Sequence, residues 1–477
     1  MVLNEPDRDS NKVYTAVKTG NRHVSEFTWK FWKRKRHVVT LLTFFGFFNV
    51  YALRSNISIA LVDMISLKNV TLENNTIVEK REFDWQPVQL GYVLSSFFYG
   101  YVFTQLLGGY LAARFGGAKI YGIGIAATAI FTLATPAAAK TNIYCLIAVR
   151  SLEGLFEGVN FPSSMAIWAN WAPPAEKSRI TSICLSGSHL GTVIAMPVSS
   201  LLCFYLGWES IFYVFGALAL LWYVVWVILV RDSPSEDPRI KPEELLFINE
   251  AVNAIEPTIK PAIPWRSILT SKAVWTITAL ICCETWGFHT FVAFLPALMK
   301  SGLNFDLNSS GFLTALPYIA MCVAITIGGH LSDWLIRRKI MTVTNVRKTV
   351  IIVGFTGQAF CLFAAAKWLS RVLTPTFTVI GAGFLGIALS GVTVSILDIA
   401  PQFSSVILGL ANTCGAMPGI VSPILSGYIV KDLTNVDQWK IIFYIAAGIY
   451  MFGAFLSVFL LTAEKQPWAK TMNTVSS

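Results

Sequence analysis

Charged side chains are scarce in this chain: only 13% of its 477 residues are Asp, Glu, Lys or Arg. A soluble protein of ordinary composition carries about 25%. Hydrophobic residues make up 54% of the chain, and the mean hydropathy is +0.58. Long apolar runs recur from one end to the other, which excludes a soluble globular protein and predicts a polytopic helical membrane protein.

The chain also lacks the patterns of secreted, metal-binding and catalytic proteins. All eight cysteines fall inside predicted membrane spans, so we expect free thiols and no disulfide framework. The sequence contains no C-x-x-C or Cys/His spacing that would predict a metal site. It also contains no recognisable pairing of a nucleophile with a base that would predict an enzyme. We therefore expect no cofactor and no catalysis. The polar N-terminal segment is not a cleavable signal peptide, so the first span is expected to act as an uncleaved anchor.

Twelve candidate spans can be counted along the sequence. They are residues 38–66, 88–113, 118–138, 142–169, 178–204, 208–231, 272–299, 308–334, 346–369, 373–399, 402–431 and 437–463. Basic residues crowd the start of the first span and the connection between the eighth and ninth, which predicts cytoplasmic termini. The net charge of +10 reflects this bias, and no nucleic-acid partner is expected because no basic face belongs to a soluble domain.

Two halves of the chain repeat one pattern. Gly109 and Gly329 lie in similar glycine-rich loops, and the dipeptides Met196-Pro197 and Met417-Pro418 have nearly the same separation. Such repetition indicates two parallel six-helix units. The predicted organisation is an N-terminal cytoplasmic tail (1–36), a first six-helix half (37–231), a cytoplasmic linker (232–271), a second six-helix half (272–464) and a C-terminal cytoplasmic tail (465–477).

The loop after the first span holds two glycosylation sequons, at Asn69 and Asn74. The positive-inside rule places this loop on the non-cytoplasmic side, where glycosylation occurs. We therefore predict that Asn69 and Asn74 are glycosylated.

The fourth span carries Arg150, Glu153 and Glu157. At about 100° per residue these positions lie within roughly 60° of each other, so they share one helix face. Gly154 and Gly158 lie beside that face, where a neighbouring backbone can approach closely. An ionised side chain at mid-bilayer costs about 2.5–3.5 kcal/mol, so the three should face an interior cavity with partners. The alternative is a structural ion-pair cluster that holds helices together.

Arg54 lies about midway along the first span, and it is predicted to face inward for the same reason. With Arg54, Arg150, Glu153 and Glu157 all ionised, the cluster is neutral and does not attract an anion. Protonating one glutamate, or placing a cation beside it, leaves a net charge of +1 that favours an anion. The charge balance thus predicts cation-coupled anion binding.

The fourth span also resembles a known family. Its residues RSLEGLFEGVNFPSSMAIWANWAPP (150–174) are similar to a motif of the anion and sodium-phosphate cotransporter family of the major facilitator superfamily. Further matching segments, in the same order, are YALRSNISIAL (51–61), SSFFYGYVFTQLLGGYLA (95–112), PWRSILTS (264–271), TALPYIA (314–320) and LDIAP (397–401). The resemblance implies an all-α membrane fold of twelve transmembrane helices in two six-helix halves.

The resemblance also implies a function. We expect a secondary active transporter of small organic or inorganic anions, of phosphate or carboxylate type, that works by alternating access and is coupled to Na⁺ or H⁺. The residues predicted to bind substrate are Arg54, Tyr101, Arg150, Phe161, Trp286 and His289; Glu153 and Glu157 are predicted to couple the cation. The alternatives are a sialin-like proton-coupled organic anion exporter of lysosomes or vesicles, and an anion sensor that does not transport.

Two departures from the family leave the cation undecided. Sialin and the vesicular glutamate transporters have a histidine three residues after the family proline, whereas here Pro162 is followed by Ser163, Ser164 and Met165. His289 replaces a family tyrosine. We expect a monomer in the plasma membrane, with a lysosomal or vesicular membrane as the alternative.

Overall fold

The computed structural model describes residues 34–71, 77–253 and 263–469. Most of the predicted N-terminal tail and the sequon at Asn74 lie outside the described residues. The first half contains α1 (Lys35–Met64), α2 (Pro87–Phe115), α3 (Gly117–Thr141), α4 (Ile143–Glu157), α5 (Asn160–Trp171), α6 (Pro174–Leu206) and α7 (Glu209–Leu229). A β-hairpin of β1 (Leu67–Thr71) and β2 (Ile77–Arg81) joins α1 to α2.

The linker carries two short helices, and the second half repeats the pattern of the first. The linker helices are α8 (Pro242–Asn253) and α9 (Trp265–Thr270). The second half contains α10 (Lys272–Ala297), α11 (Leu307–Arg337), α12 (Val343–Lys367), α13 (Leu373–Ile399), α14 (Ser404–Gly415), α15 (Met417–Ile429) and α16 (Val436–Leu460). A π-helical turn at Leu298–Gly302 extends α10, and short 3₁₀ turns lie at Pro234–Glu236, Pro401–Phe403 and Pro467–Ala469.

Ten helical segments of the described chain are long and apolar enough to cross a membrane. The other two predicted spans correspond to α2 and to the pair α4–α5. The prediction of twelve membrane helices in two six-helix halves is therefore confirmed.

Two spans predicted as continuous helices are interrupted. Span 142–169 breaks between α4 and α5, and span 402–431 breaks at Ala416 between α14 and α15. Pro162 and Pro418 lie just after the two breaks. Proline lacks an amide hydrogen and crowds the carbonyl four residues earlier, which ends regular helix at these points.

The halves pack against each other through four helix pairs: α2 with α15, α6 with α11, α1 with α10, and, less extensively, α2 with α14. We name the end of the bundle that carries the β-hairpin the hairpin side, and the opposite end, which carries residues 232–271, the linker side. On the hairpin side, the Ser200 hydroxyl donates to the carbonyl of Leu307, and the hydroxyls of Tyr92 and Tyr428 are 2.9 Å apart. The halves are therefore closed against each other on the hairpin side.

The β-hairpin was not predicted, because the sequence 67–86 was interpreted only as a loop. Its strands pair antiparallel, with Asn69 opposite Glu79. The segment after β2 packs onto the first half: Trp208 Nε1 donates to Glu82 over 3.0 Å, and the Phe83 ring lies 5.8 Å from the Trp208 ring. The β-branched residues Val70, Thr71, Ile77 and Val78 provide the β propensity that the loop assignment overlooked.

Glycosylation of this hairpin stays a prediction. We expect glycosidase treatment of the wild-type protein from eukaryotic cells to increase its gel mobility. The Asn69→Gln and Asn74→Gln variants should each lose part of the shift, and the double variant should lose all of it. A double variant that still shifts fully would contradict the placement of this loop.

The linker is tied to the first half by buried ion pairs. Arg36, at the start of α1, donates to Glu176 over 2.8 Å and to Glu244 of α8 over 3.2 Å. Lys35 forms a 3.0 Å ion pair with Asp237. Partial burial acts to raise the pKa of Glu176, but the hydrogen bonds and positive charge of Arg36 outweigh it and hold this pKa below its usual range. The pair therefore stabilises the fold above the usual carboxyl pKa, and its contribution is lost as the pH falls through the lowered value.

We expect Arg36→Ala to detach the linker helix and destabilise the first half. Arg36 is 3% exposed and Glu244 is 6% exposed, and removing one member of a buried ion pair costs about 3–5 kcal/mol. Thermal unfolding of the purified protein in detergent at pH 7 measures the loss. Lys119→Ala is the matched control, because Lys119 pairs with Asp232 at an exposed position. Equal melting temperatures for the two variants would contradict the role assigned to Arg36.

Candidate functional site

A cavity of about 260 Å³ lies between the two halves. Its lining includes Met165, Leu185, Thr393, Leu408 and Asn412, which lie in the parts of their helices nearest the linker side. On the hairpin side, a Cβ atom added at Gly91 would lie only 2.5 Å from the Pro423 carbonyl oxygen, so the two halves are in backbone contact there. The cavity thus extends toward the linker side and is blocked toward the hairpin side.

Arg54 projects from the middle of α1 into this cavity, as predicted. Its Nε donates to Glu157 over 2.9 Å, and Nη2 contacts the same carboxylate oxygen. The guanidinium carbon lies 4.6 Å from the ring centre of Phe97, 4.7 Å from that of Tyr51 and 4.9 Å from that of Tyr101. Aromatic faces stabilise a cation by about 0.5–2 kcal/mol each when water is excluded. Arg54 therefore stays charged and oriented within an aromatic cage.

Arg150 and Glu153 form a separate buried pair, and Arg150 lines a smaller pocket that adjoins the central cavity. Arg150 Nη1 donates to Glu153 Oε2, and the other carboxylate oxygen accepts hydrogen bonds from Thr132 at 3.2 Å and Thr135 at 3.1 Å. Arg150 Nη2 also donates to the Arg54 carbonyl over 3.4 Å. Both oxygens of Glu153 are thus engaged, which matches the structural ion-pair alternative for these two residues.

Glu157 differs from Glu153 because only one of its oxygens has a partner. Oε1 accepts from Arg54, whereas Oε2 is buried and makes no hydrogen bond within the described residues. Glu157 is 1% exposed, so it reaches the cavity through Arg54 and not directly. A buried oxygen without a donor is a position where a proton can reside at low cost.

Close helix packing brings this charged cluster together. A Cβ at Gly158 would lie 2.7 Å from the Tyr101 carbonyl, and a Cβ at Gly154 would overlap the Phe97 carbonyl. The two glycines therefore permit the backbones of α2 and α4 to touch, as predicted, and this contact sets the aromatic residues of α2 against both arginines.

Three further predicted site residues line the cavity: Tyr101, Phe161 and His289. Trp286 does not; it is half-buried and packs against the apolar core. On α10 the lining residues are Glu284, Thr285, Phe288 and His289. At about 100° per residue, Trp286 points roughly 130° away from the centre of that face, so its assignment to the site is not supported by the structure.

The fold also brings into the cavity several residues that were not among the predicted site residues. They include Phe98, His189, Glu284, Phe288, Tyr318 and Asn412. Glu284 and Phe288 lie four residues apart on α10, a spacing that would have identified the cavity face of that helix. With histidines counted as neutral, the two arginines and three glutamates of this region give a net charge of −1. Within the described residues, no group of three or more His, Cys, Asp or Glu side chains could hold a metal ion.

Comparison with known proteins identifies the family. The family model for the Major Facilitator Superfamily matches residues 39–346. Vesicular glutamate transporter 1 of Xenopus tropicalis is 35% identical over 444 residues, which is 92% of this chain and 77% of the relative. Vesicular glutamate transporter 2 of Homo sapiens is also 35% identical over 444 residues, covering 92% of this chain and 76% of the relative.

The chain belongs to the major facilitator superfamily. Within it, the relatives place the chain in the anion and sodium-phosphate cotransporter family, as the sequence motifs predicted. It is a multi-pass membrane protein and a secondary active anion transporter, not an enzyme.

Solved structures show the same fold. A bacterial homolog of the human lysosomal transporter Spinster, in an inward-facing and occupied conformation, has a TM-score of 0.71 at 14% identity, covering 91% of this chain and 99% of that one. A D-xylose-proton symporter has a TM-score of 0.66 at 14% identity, covering 90% and 99%. At this identity the similarity concerns the fold alone.

Proposed function

We propose that the transporter carries a small monovalent anion of carboxylate or phosphate type, driven by H⁺ or Na⁺. The observation that carries this proposal is Arg54: among the described residues, it is the one arginine or lysine that lines the central cavity. A guanidinium is planar and donates two parallel hydrogen bonds to a carboxylate or a phosphate.

Competition for Arg54 provides the coupling. In the empty transporter, the Glu157 carboxylate forms an ion pair with the Arg54 guanidinium, and the pair is neutral. When Glu157 binds a proton, or when a cation neutralises it, Arg54 becomes free to bind the anion. The anion therefore binds best when the cation is present, and by reciprocity the cation binds best when the anion is present.

The return of the empty transporter depends on the same pair. A lone guanidinium in the closed cavity would be an uncompensated charge of low solvation. Re-forming the pair between Arg54 and Glu157 removes that cost after the anion has left. The two halves can then rock about the cavity without cargo, which completes an alternating-access cycle.

Tyr101, Phe161 and His289 are proposed to contact the substrate from the cavity wall. The relatives named as glutamate transporters favour a carboxylate, whereas the missing histidine after Pro162 favours phosphate. The plasma membrane stays the predicted location, with a vesicular membrane as the alternative that the names of the relatives support. A monomer also stays a prediction.

Uptake into proteoliposomes tests the proposal. The purified protein should accumulate radiolabelled glutamate, phosphate or another small carboxylate under an imposed pH or Na⁺ gradient, above protein-free vesicles. Excess unlabelled anion should abolish the uptake. If an anion binds to the protein but is never accumulated or exchanged under any gradient, the protein acts as a sensor and the transport proposal fails.

A further inference from the structure

Glu284 is the acidic residue that lines the central cavity from the second half. Unlike Glu153 and Glu157, its carboxylate makes no hydrogen bond or ion pair with any described residue. The backbone carbonyl of Glu284, and not its side chain, accepts a hydrogen bond from the Tyr450 hydroxyl over 3.4 Å. The side chain is half-buried in a cavity between two apolar bundles.

The charge count makes this carboxylate significant. The Arg54–Glu157 and Arg150–Glu153 pairs are neutral, so the −1 charge of the region comes from Glu284. Neutralising Glu157 alone brings the region to zero, which still gives a monovalent anion no net attraction. Neutralising Glu284 as well produces the net charge of +1 that matches the anion.

We propose that Glu284 binds a second coupling cation, so that two monovalent cations accompany each monovalent anion. This inference rests on the proposed cation-coupled anion transport. Asn412 and Thr393 line the same cavity with neutral oxygen atoms, and with the carboxylate they offer the hard oxygen ligands that a small cation prefers. A proton or Na⁺ would satisfy the same carboxylate.

Other titratable groups also surround α10. They are Tyr51 and Arg54 of α1, His189 of α6, His289 of α10 itself, Tyr318 of α11, Cys414 of α14 and Tyr450 of α16. The lining residues of α13 and α15 carry no titratable side chain. His189 lies 3.4 Å from the Ser188 hydroxyl, and the His289 ring packs edge-on against Phe98 at 4.5 Å. Glu284 is the group among them whose ionisation leaves a negative charge without a partner.

The number of coupled cations can be measured in proteoliposomes with the membrane potential clamped at zero by K⁺ and valinomycin. The cargo is the radiolabelled anion that the wild type accumulates from the panel above. With tenfold gradients of H⁺ and Na⁺ imposed together, the anion gradient should reach about 100-fold in the wild type and about tenfold in Glu284→Gln, because each coupled cation contributes one factor of ten. Running the assay with a pH gradient and then with a Na⁺ gradient identifies the second cation.

Control variants separate this role from a structural one. Glu464→Gln, at an exposed position outside the cavity, should behave as the wild type. Glu284→Asp keeps the carboxylate and should retain the 100-fold gradient, with a changed cation affinity. Both cavity variants are first checked for a monodisperse peak in size-exclusion chromatography, and exchange of labelled for unlabelled anion shows that they still transport.

The outcomes distinguish the two proposals. If the wild type accumulates no anion under any gradient, the proposed function fails. If the wild type accumulates the anion but sustains only a tenfold gradient, or if Glu284→Gln equals the wild type, the function stands and the role of Glu284 is overturned. The same holds if His189→Gln or His289→Gln, and not Glu284→Gln, lowers the sustained gradient. Should Glu284→Gln fail to fold, Glu284→Asp takes its place, and an anion uptake whose dependence on cation concentration is identical to that of the wild type overturns the role of Glu284.

Discussion

Replacing Arg54 with alanine is expected to abolish anion accumulation and to weaken anion binding by about 10- to 100-fold. A hydrogen bond to a charged group is worth about 1.5–3 kcal/mol, and each 1.4 kcal/mol is a factor of ten in affinity. Within the described residues, no other arginine or lysine lines the central cavity; Arg150 lines a smaller adjoining pocket, but its pair with Glu153 keeps it from substituting for Arg54. Binding of the radiolabelled anion to purified protein measures the effect directly.

The single variant has a side effect that the experiment must separate from lost binding. Removing Arg54 leaves Glu157 buried without a partner, which costs about 3–5 kcal/mol. The double variant Arg54→Ala, Glu157→Gln removes both charges and should fold more stably than the single variant, yet bind the anion equally poorly. Arg54→Lys keeps the charge but loses the planar fork, and should bind with intermediate affinity.

Arg371→Ala is the matched control for this series. Like Arg54, Arg371 lies over an aromatic ring, with its guanidinium 4.8 Å from the Phe305 ring. It donates to the carbonyl of Asn304 over 2.8 Å, but it is exposed and lies outside the cavity. Its replacement should leave anion binding unchanged. A folded double variant at Arg54 and Glu157 that binds the anion with wild-type affinity would rule out Arg54 as the anion-binding group.

The sequence predicted the fold well because the relevant signals are local. Runs of about 20 apolar residues specify membrane helices regardless of what they pack against. Buried charge works similarly: the cost of ionised Arg54, Arg150 and Glu157 in a membrane demanded an interior position, and the structure places all three there. The helix breaks at Pro162 and Pro418 were also readable from single residues, although the spans were counted as continuous.

Two features of the site could not be predicted: the rotation of each helix about its axis, and the pairing of charged side chains on different helices. Whether Trp286 or Phe288 faces the cavity depends on the rotation of α10 about its own axis, which neighbouring helices set. The pairing of Arg54 with Glu157, which lie on different helices, depends on how far α1 and α2 approach α4. The sequence indicated that the glycines permit such an approach, but not that it would give Glu153 three partners and leave Glu157 with one.

Replacing Glu157 with glutamine is expected to convert the transporter from net transport to exchange. Glutamine has nearly the shape of a protonated glutamate and cannot ionise, so Arg54 keeps a neutral neighbour throughout the cycle. The anion should then bind Arg54 even when no cation is bound at position 157. Binding of the anion should lose the part of its cation dependence that arises at position 157 and keep the part that arises at Glu284. Counterflow of labelled against unlabelled anion should survive within a few-fold of wild type.

Net accumulation should fail in the same variant for a different reason. After the anion leaves, the wild type neutralises Arg54 by re-forming its pair with Glu157, and the empty protein can return. Glu157→Gln cannot ionise, so Arg54 remains buried without its ion-pair partner until another anion binds. We expect gradient-driven accumulation to fall at least tenfold while counterflow continues, and the ratio of the two rates is the measurement.

Glu153→Gln is the comparison that makes this result specific to position 157. Both oxygens of Glu153 are held by Arg150, Thr132 and Thr135, and the residue does not contact Arg54 through its side chain. Its loss should lower thermal stability because Arg150 loses its buried partner, yet the molecules that fold should still accumulate the anion. If Glu157→Gln accumulates the anion to the wild-type level, Glu157 does not couple the cation. If Glu153→Gln alone shows exchange without accumulation, Glu153 is the coupling acid, and the pair that re-forms in the empty transporter is the one between Arg150 and Glu153.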